Sequence, residues 1–385
     1  MEDYCCFETE AVRGFSRGDE RTGAISFPIY QSTTFRHPGL NESTGYDYSR
    51  LQNPTVEEFE KTVAILENGK EAVAFSTGMA AINCCINLFR SGDHIIISED
   101  LYGGTYRIFD SIYREYGIEP TFIDTTDISK IKASIKPNTK GIFIETPSNP
   151  SLRVADIKAI AKVSKENNLI FIVDNTFLTP YYQKPLNLGA DVVVHSGTKY
   201  LGGHNDVLSG IVVTNDDKII ERLRFILKST GSTLAPFEAW LVLRGLKTLH
   251  IRLDRAQDNS IKLAKWLKTN EEVTDVLYVG IEDHPGYFIN KSQSTGFGSV
   301  ISFRIKSAEM VNKLLKTLKV ISFAESLGGV ETLITYPYTQ THSELSEDIQ
   351  KKLGIDKCLL RISVGIENVD DLIKDLDNAI KEAKY

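Results

Sequence analysis

The sequence predicts an α/β chain: a mostly parallel, doubly wound sheet, preceded by an N-terminal arm and followed by a smaller α+β domain. Short runs rich in Ile and Val, such as His94–Ser98 and Leu169–Val173, have the all-apolar character of strands buried on both faces of a sheet. Helical patterns separate these runs, the alternation that builds parallel βαβ units. The predicted strand ends carry polar residues and glycines, and ligands of open parallel sheets bind outside the carboxyl ends of the strands.

Residues 1–55 read as the arm, polar and punctuated by Gly and Pro, with short apolar runs such as Ala24–Tyr30. An α/β domain is expected over 56–245. It opens with a helix over Thr55–Asn68, a strand over Ala72–Phe75 and a helix over Gly78–Phe89. A strand at His94–Ser98, a helix over Gly104–Tyr116 and strands at Thr121–Asp124 and Gly141–Glu145 follow. A helix over Val154–Asn167 then leads to strands at Leu169–Val173 and Val192–His195. Trp240, Leu243, Leu246, Leu249, Leu253, Ala256 and Ile261 keep helical spacing through Phe237–Lys268, predicting one long helix or two in succession. An α+β domain is expected over 246–385, with strands at Ser299–Ile305 and Cys358–Val364. Its helices fall at Ala308–Leu318 and Val369–Lys384, the latter capped by Asn368.

Composition excludes several classes. With 42% hydrophobic and 25% charged residues, the 385-residue chain is neither disordered nor fibrous. A net charge of −7 gives no overall attraction for nucleic acid or an anionic membrane. The five cysteines include two adjacent pairs, Cys5-Cys6 and Cys84-Cys85, with no CxxC spacing and no Cys/His cluster for zinc. Reduced thiols and no metal are expected. The acidic start lacks an apolar leader, and no run approaches the ~18 apolar residues of a membrane span. A cytoplasmic location is the expectation.

The chemistry collects at the strand ends: Ser76–Gly78, Leu101–Gly104, Glu145–Pro150, Asp174–Thr176 and His195–Lys199. Gly78, between a strand and an apolar helix, suits an anion at a helix N-terminus. Neither a Walker A loop nor a GxGxxG fingerprint at the first βα turn is present, which argues against a nucleotide and against a nucleotide-binding oxidoreductase. Asp174 follows an apolar run, so its carboxylate is placed to pair with a cationic ligand group in low dielectric. Lys199 is flanked by Ser196 and Thr198, and a lysine with its pKa lowered by partial burial condenses with carbonyl compounds. Alone, each has an ordinary reading: a capped turn, an N-cap aspartate, a surface lysine. Together they suit pyridoxal phosphate, with its phosphate, ring nitrogen and aldehyde. His195 and His204 flank the lysine without completing a metal or triad set.

The stretch Asp191–Asn205 resembles the lysine signature of the cysteine/methionine-metabolism group of pyridoxal-phosphate enzymes. That group includes cystathionine γ-synthase, the cystathionine lyases and the O-acylhomoserine sulfhydrylases. The resemblance continues through Tyr48–Arg50, Ser76–Ala80, Asp100–Arg107, Glu145–Pro150, Val173–Thr176, Ala324–Gly329 and Leu360–Glu367. Gly197, where family members often carry Ala, departs from it. The resemblance implies a fold-type I transferase in which Lys199 binds the cofactor covalently and moves protons at the substrate. Asp174 would pair with the ring nitrogen, and Tyr102 would stack on the ring and assist proton transfer. Gly78 and Met79 amides and Ser196 and Thr198 hydroxyls would hold the phosphate. Tyr48 and Arg50 would reach it from a neighbouring subunit. Arg361, with Asn149 and Ser326, would hold the substrate α-carboxylate. A homotetramer of paired dimers is implied too.

Glu325 offers a carboxylate for a distal ammonium group, as in the γ-synthases and γ-lyases, while Gly104 departs from the methionine γ-lyases. Residues 36–46 and 323–342 resemble bacterial cystathionine γ-synthases that also act as O-acetylhomoserine thiolyases. The expected reaction is γ-replacement of O-acylhomoserine with cysteine. Cystathionine γ-lyase and O-acetylhomoserine sulfhydrylase are the alternatives within the family; a non-catalytic binding protein is the alternative outside it.

Overall fold

The apolar runs become strands close to where composition places them. The computed structural model describes residues 6–343 and 345–384, so Cys5 lies outside the described residues. A short helix α1 (Phe7–Arg13) precedes α2 (Pro54–Leu66), which starts where Asn53 accepts hydrogen bonds from Thr55 N and Val56 N and proline takes the first turn. Strands β1 (Glu71–Phe75), β2 (His94–Ser98), β3 (Glu119–Ile123), β4 (Thr139–Glu145), β5 (Ile170–Asp174), β6 (Val192–Ser196) and β7 (Gly210–Thr214) follow, with α3 (Gly78–Ile86) after β1. The later strands are β8 (Val273–Leu277), β9 (Val300–Ile305), β10 (Ser322–Phe323), β11 (Leu333–Thr335) and β12 (Leu359–Ser363).

The chain divides into two compact units, Met1–Arg90 with Ile170–His250, and Ser91–Leu169 with Ile251–Tyr385. In the first, β1, β7, β6 and β5 lie side by side. β5 and β6 are parallel, with Asp174 opposite Val194, and β7 is antiparallel to both β6 and β1. β7 is not among the predicted elements, nor is the helix Asp217–Thr230 after it. The strand's apolar run spans only Ile211–Val213, too short to stand out. The helix begins at Asp216, which accepts from Lys218 N and Ile219 N, and closes at Gly231 with φ of 78°.

In the second unit, β2 pairs in parallel with β3 and β4. The sheet β10-β11-β12-β9-β8 covers a core that includes Leu263, Phe303, Leu314, Ile362 and Leu376. The predicted helix over Gly104–Tyr116 is two pieces, an α-helical turn at Gly103–Arg107 and a wider π-helical stretch at Ile108–Tyr113. A short helix at Ile128–Ala133 was not predicted. The long helical pattern resolves as Pro236–Leu246 and Leu249–Thr269. The last helix, Val369–Ala383, is capped by Asn368, whose side chain accepts from Asp370 N.

Among the described residues, no helix is long and apolar enough to cross a membrane, and no group of three or more His, Cys, Asp or Glu is placed to hold a metal ion. Cys84 and Cys85 are buried free thiols, both pushed up by burial, Cys84 to about 12.

Candidate active site

In the first unit, the site is built from the ends of β5 and β6 and the start of α3. Thr77 caps α3: its hydroxyl accepts from Ala80 N at 3.0 Å and its carbonyl from Ala81 N at 3.1 Å. The Gly78 and Met79 amides therefore head the helix. A Cβ on Gly78 would stand 2.8 Å from both Cβ and Oγ of Ser196, so only glycine lets the helix start approach the end of β6 this closely. An anion there would meet backbone N–H groups and the Ser196 hydroxyl.

Asp174 ends β5 and is buried. Its Oδ1 accepts from Thr176 N at 3.0 Å and from Thr176 Oγ1 at 2.6 Å. Thr176 Oγ1 in turn accepts from Ser196 N at 2.9 Å, which ties the two strand ends together. Burial pushes the Asp174 carboxyl up, against the pull of the Thr176 hydrogen bonds. A desolvated carboxylate of this kind gains most from a cationic partner. Thr176, which sequence reasoning passed over as part of a motif, is thus what holds the aspartate.

Lys199 lies partly buried in the turn after β6, its backbone N donating to Ser196 O at 3.1 Å. Thr198 is fixed by Ser209: its hydroxyl accepts from Ser209 N at 3.0 Å and donates to Ser209 O at 3.2 Å. A Cβ on Gly197 would lie 2.8 Å from Ser209 Oγ, so the glycine departure matches the serine beside it. Behind this turn, His195 Nε2 lies 2.6 Å from Glu67 Oε1, and Asn175 Nδ2 donates to the same oxygen at 3.2 Å. Tyr48 and Arg50 are exposed, with the Arg50 guanidinium 5.2 Å from the Tyr48 ring centroid.

The second unit carries the remaining predicted residues. Arg361, in the middle of β12, is 1% exposed. Its Nη1 donates to Asn149 Oδ1 at 2.8 Å, and its Nη2 to Ser326 O at 2.9 Å and Thr335 Oγ1 at 3.1 Å. Ser326 has φ of 102°, in the region glycine favours, and that strained backbone aims its carbonyl at the guanidinium. Glu325, one residue earlier, is exposed. Tyr102 is 41% exposed, and its backbone N donates to Glu145 Oε2 at 2.9 Å. Glu145 and Thr335 were not singled out in sequence; their partners are 43 and 26 residues away.

The first-unit residues fit pyridoxal phosphate. The glycine-only approach of α3 to Ser196 suits a phosphate, the buried Asp174 suits a protonated ring nitrogen, and Lys199 supplies an amine. The comparisons with known proteins agree. A family model described as Cys/Met metabolism PLP-dependent enzyme matches residues 8–381. The chain is 48% identical to the Bacillus subtilis (strain 168) protein named cystathionine gamma-synthase/O-acetylhomoserine (thiol)-lyase, covering 98% of this chain and 97% of that protein. It is 46% identical to cystathionine gamma-lyase of the same organism, covering 97% of this chain and 99% of that protein. The solved structure of cystathionine gamma-lyase from Lactobacillus plantarum complexed with L-serine matches with a TM-score of 0.96 at 43% identity, over 98% of this chain and 99% of that one. Synthase and lyase names thus occur at nearly equal identity, and overall similarity does not separate the two.

Proposed function

The chain belongs to the Cys/Met metabolism PLP-dependent enzymes, and from that premise we propose that it is a cystathionine γ-synthase, exchanging the acyl group of O-acylhomoserine for the sulfur of cysteine. Its cofactor is pyridoxal phosphate and its substrates are amino acids. The observation that carries the finer reading is the adjacency of Glu325 and Ser326. The Ser326 carbonyl holds the buried Arg361 guanidinium, and the exposed carboxylate stands one residue away. A carboxylate anchor beside an ammonium-seeking acid suits a molecule with two amino-acid ends, such as cystathionine.

Pyridoxal phosphate, when bound, supplies an aldehyde that condenses with amines and a ring that withdraws electrons. The chain's residues do the rest. Gly78, Met79, Ser196 and Thr198, with Tyr48 and Arg50 from a neighbouring subunit, bind the phosphate. Asp174, fixed by Thr176, keeps the ring nitrogen protonated. The Arg361 guanidinium, held by Asn149 at Nη1 and by Ser326 and Thr335 at Nη2, turns its remaining N–H donors to the substrate α-carboxylate. The Lys199 amine takes the Cα proton, assists removal of a Cβ proton and, once the thiol has added at Cγ, returns both, with the Tyr102 phenol sharing proton transfer. Such general acid–base steps typically contribute about 10²–10⁴-fold each. In balance, the Cγ–O bond breaks, a Cγ–S bond forms, and the thiol proton leaves with the carboxylic acid. Glu325 receives the ammonium of the incoming cysteine.

The same reading gives a cytoplasmic homotetramer of paired dimers. The arm over 1–55 contributes to the neighbouring site, 56–245 binds the cofactor, and 246–385 forms the C-terminal domain. Steady-state rates of the purified holoenzyme test the reaction. Consumption of O-acetyl- or O-succinylhomoserine with cysteine should outpace breakdown of cystathionine; faster cystathionine breakdown would make it a lyase.

A further inference from the structure

His342 is 1% exposed, and its ring joins two loops that carry proposed substrate-site residues. Its Nε2 stands 3.3 Å from the Leu101 carbonyl oxygen and 3.1 Å from that of Asn149. Carbonyl oxygens only accept, so Nε2 carries a proton and donates to both. Nδ1 lies 2.8 Å from Thr341 Oγ1 and, in the neutral ring, accepts from that hydroxyl. Burial and the charge of Arg361 keep the ring neutral, pushing its pKa down to about 4. The histidine is itself anchored: its carbonyl accepts from Gln350 Nε2 at 2.8 Å and its amide donates to Pro337 O at 3.1 Å.

The two carbonyls are placed where the chemistry needs them. Leu101 directly precedes Tyr102, and the Asn149 side chain orients Arg361. The contact is close along its length, since a Cβ on Gly103 would stand 2.2 Å from Thr341 O. A single imidazole N–H therefore fixes the backbone behind both the tyrosine and the partner of the guanidinium.

We infer that His342 is a positioning residue that sets the spacing between Tyr102 and the Arg361–Asn149 pair, and thereby the affinity for the α-carboxylate of the amino-acid substrate. The inference deepens the reading above and rests on Arg361 being the carboxylate anchor. Without the N–H, two buried carbonyls lose their donor and the loops relax apart, and a displacement of about 1 Å in a positioning contact costs on the order of 10²-fold.

Titration of the holoenzyme with L-alanine, followed through the visible absorption of the bound cofactor, tests this. L-Alanine has the α-amino and α-carboxylate groups and no leaving group. His342→Leu should weaken its binding by at least about tenfold, while His342→Gln, which keeps an N–H donor, should return to within about threefold of wild type. Thr341→Val leaves the ring in place and removes the hydroxyl partner of Nδ1. It should weaken binding by roughly threefold, and it carries the test if His342→Leu does not fold. A purely structural role would lower the thermal midpoint of the variants while leaving L-alanine affinity of the folded holoenzyme unchanged, and that result overturns the inference. Equal weakening by Leu and Gln overturns it too. Arg361→Lys separates the two levels. If it leaves L-alanine binding unchanged, the anchor reading fails; if it weakens binding while the His342 and Thr341 variants do not, the His342 inference alone fails.

Discussion

Glu67 and His195 meet at 2.6 Å between the end of α2 and the end of β6, in a place where their side chains are 0% and 1% exposed. The carboxylate only accepts, so His195 Nε2 donates, and Asn175 Nδ2 donates to the same Glu67 oxygen. Asn175 follows Asp174 directly, and its own amide group also pairs with Gln183. The pair thus pins the backbone beneath the candidate cofactor site to a helix outside it.

Glu67→Ala removes the only acceptor described for His195 Nε2 and leaves a buried group uncompensated. The expected loss is about 3–5 kcal/mol of unfolding free energy. Glu67→Gln keeps an acceptor for His195 and should cost roughly 1–3 kcal/mol. Urea denaturation of the three proteins at one pH measures both differences, and wild-type stability in Glu67→Ala would show that the pair contributes nothing.

Gly78 makes a sharper prediction about the cofactor. A methyl group there meets Ser196 at 2.8 Å, so the start of α3 and the end of β6 cannot stay as close as they are. Gly78→Ala should raise the dissociation constant for pyridoxal phosphate by about tenfold or more. The apoprotein should also lose roughly 1–3 kcal/mol of stability, the usual cost of overpacking. Fluorescence titration of the apoprotein reads the first quantity; an unchanged constant would remove this approach from the phosphate site.

How much of this was legible in the sequence depends on how far apart the partners lie. Gly78, Asp174 and Lys199 each follow an apolar run at the carboxyl end of a strand, so local pattern alone brings them to one rim of a sheet. His195 was visible as a residue but not as a contact, because Glu67 is 128 residues away and belongs to a helix whose own pattern shows only amphipathicity. Arg361 was legible as part of the Cys358–Val364 strand, but its burial between β11 and β9 and its bond to Asn149, 212 residues earlier, come only with the fold. His342 entered only as part of a stretch resembling relatives. β7 was missed because three apolar residues between Gly210 and Thr214 carry too little periodicity. The Ile108–Tyr113 stretch read as ordinary helix because widening the turn changes hydrogen bonding rather than composition.

Two buried groups give stability slopes of opposite sign. Burial pushes Asp100 up to about 6 from 3.8, against its hydrogen bond from Ser148 and the charge of Arg153. The native state therefore holds this proton more tightly than the unfolded chain, and the contribution, full below pH 3.8, is lost as pH rises through 6. His342, pushed down to about 4 from 6.5, does the reverse: its contribution is present above pH 6.5 and lost as pH falls through 4. Asp100→Asn should therefore gain up to about 3 kcal/mol relative to wild type between pH 4 and 8, at roughly 1.4 kcal/mol per pKa unit. His342→Gln should gain relative to wild type in the opposite direction, from pH 7 toward 4.5. Urea midpoints across that range check both, and parallel curves for variant and wild type would contradict the assignments.

Lys199 is expected to carry the cofactor beside Asp174. Borohydride reduction of the purified holoenzyme, followed by peptide mapping, locates the modified side chain directly. The expected result is a yellow protein whose colour is bleached by the reductant, with the pyridoxyl group on the peptide containing Lys199 and none bound by Lys199→Ala. A label on a different lysine, or a colourless protein that takes up no pyridoxal phosphate, would contradict it.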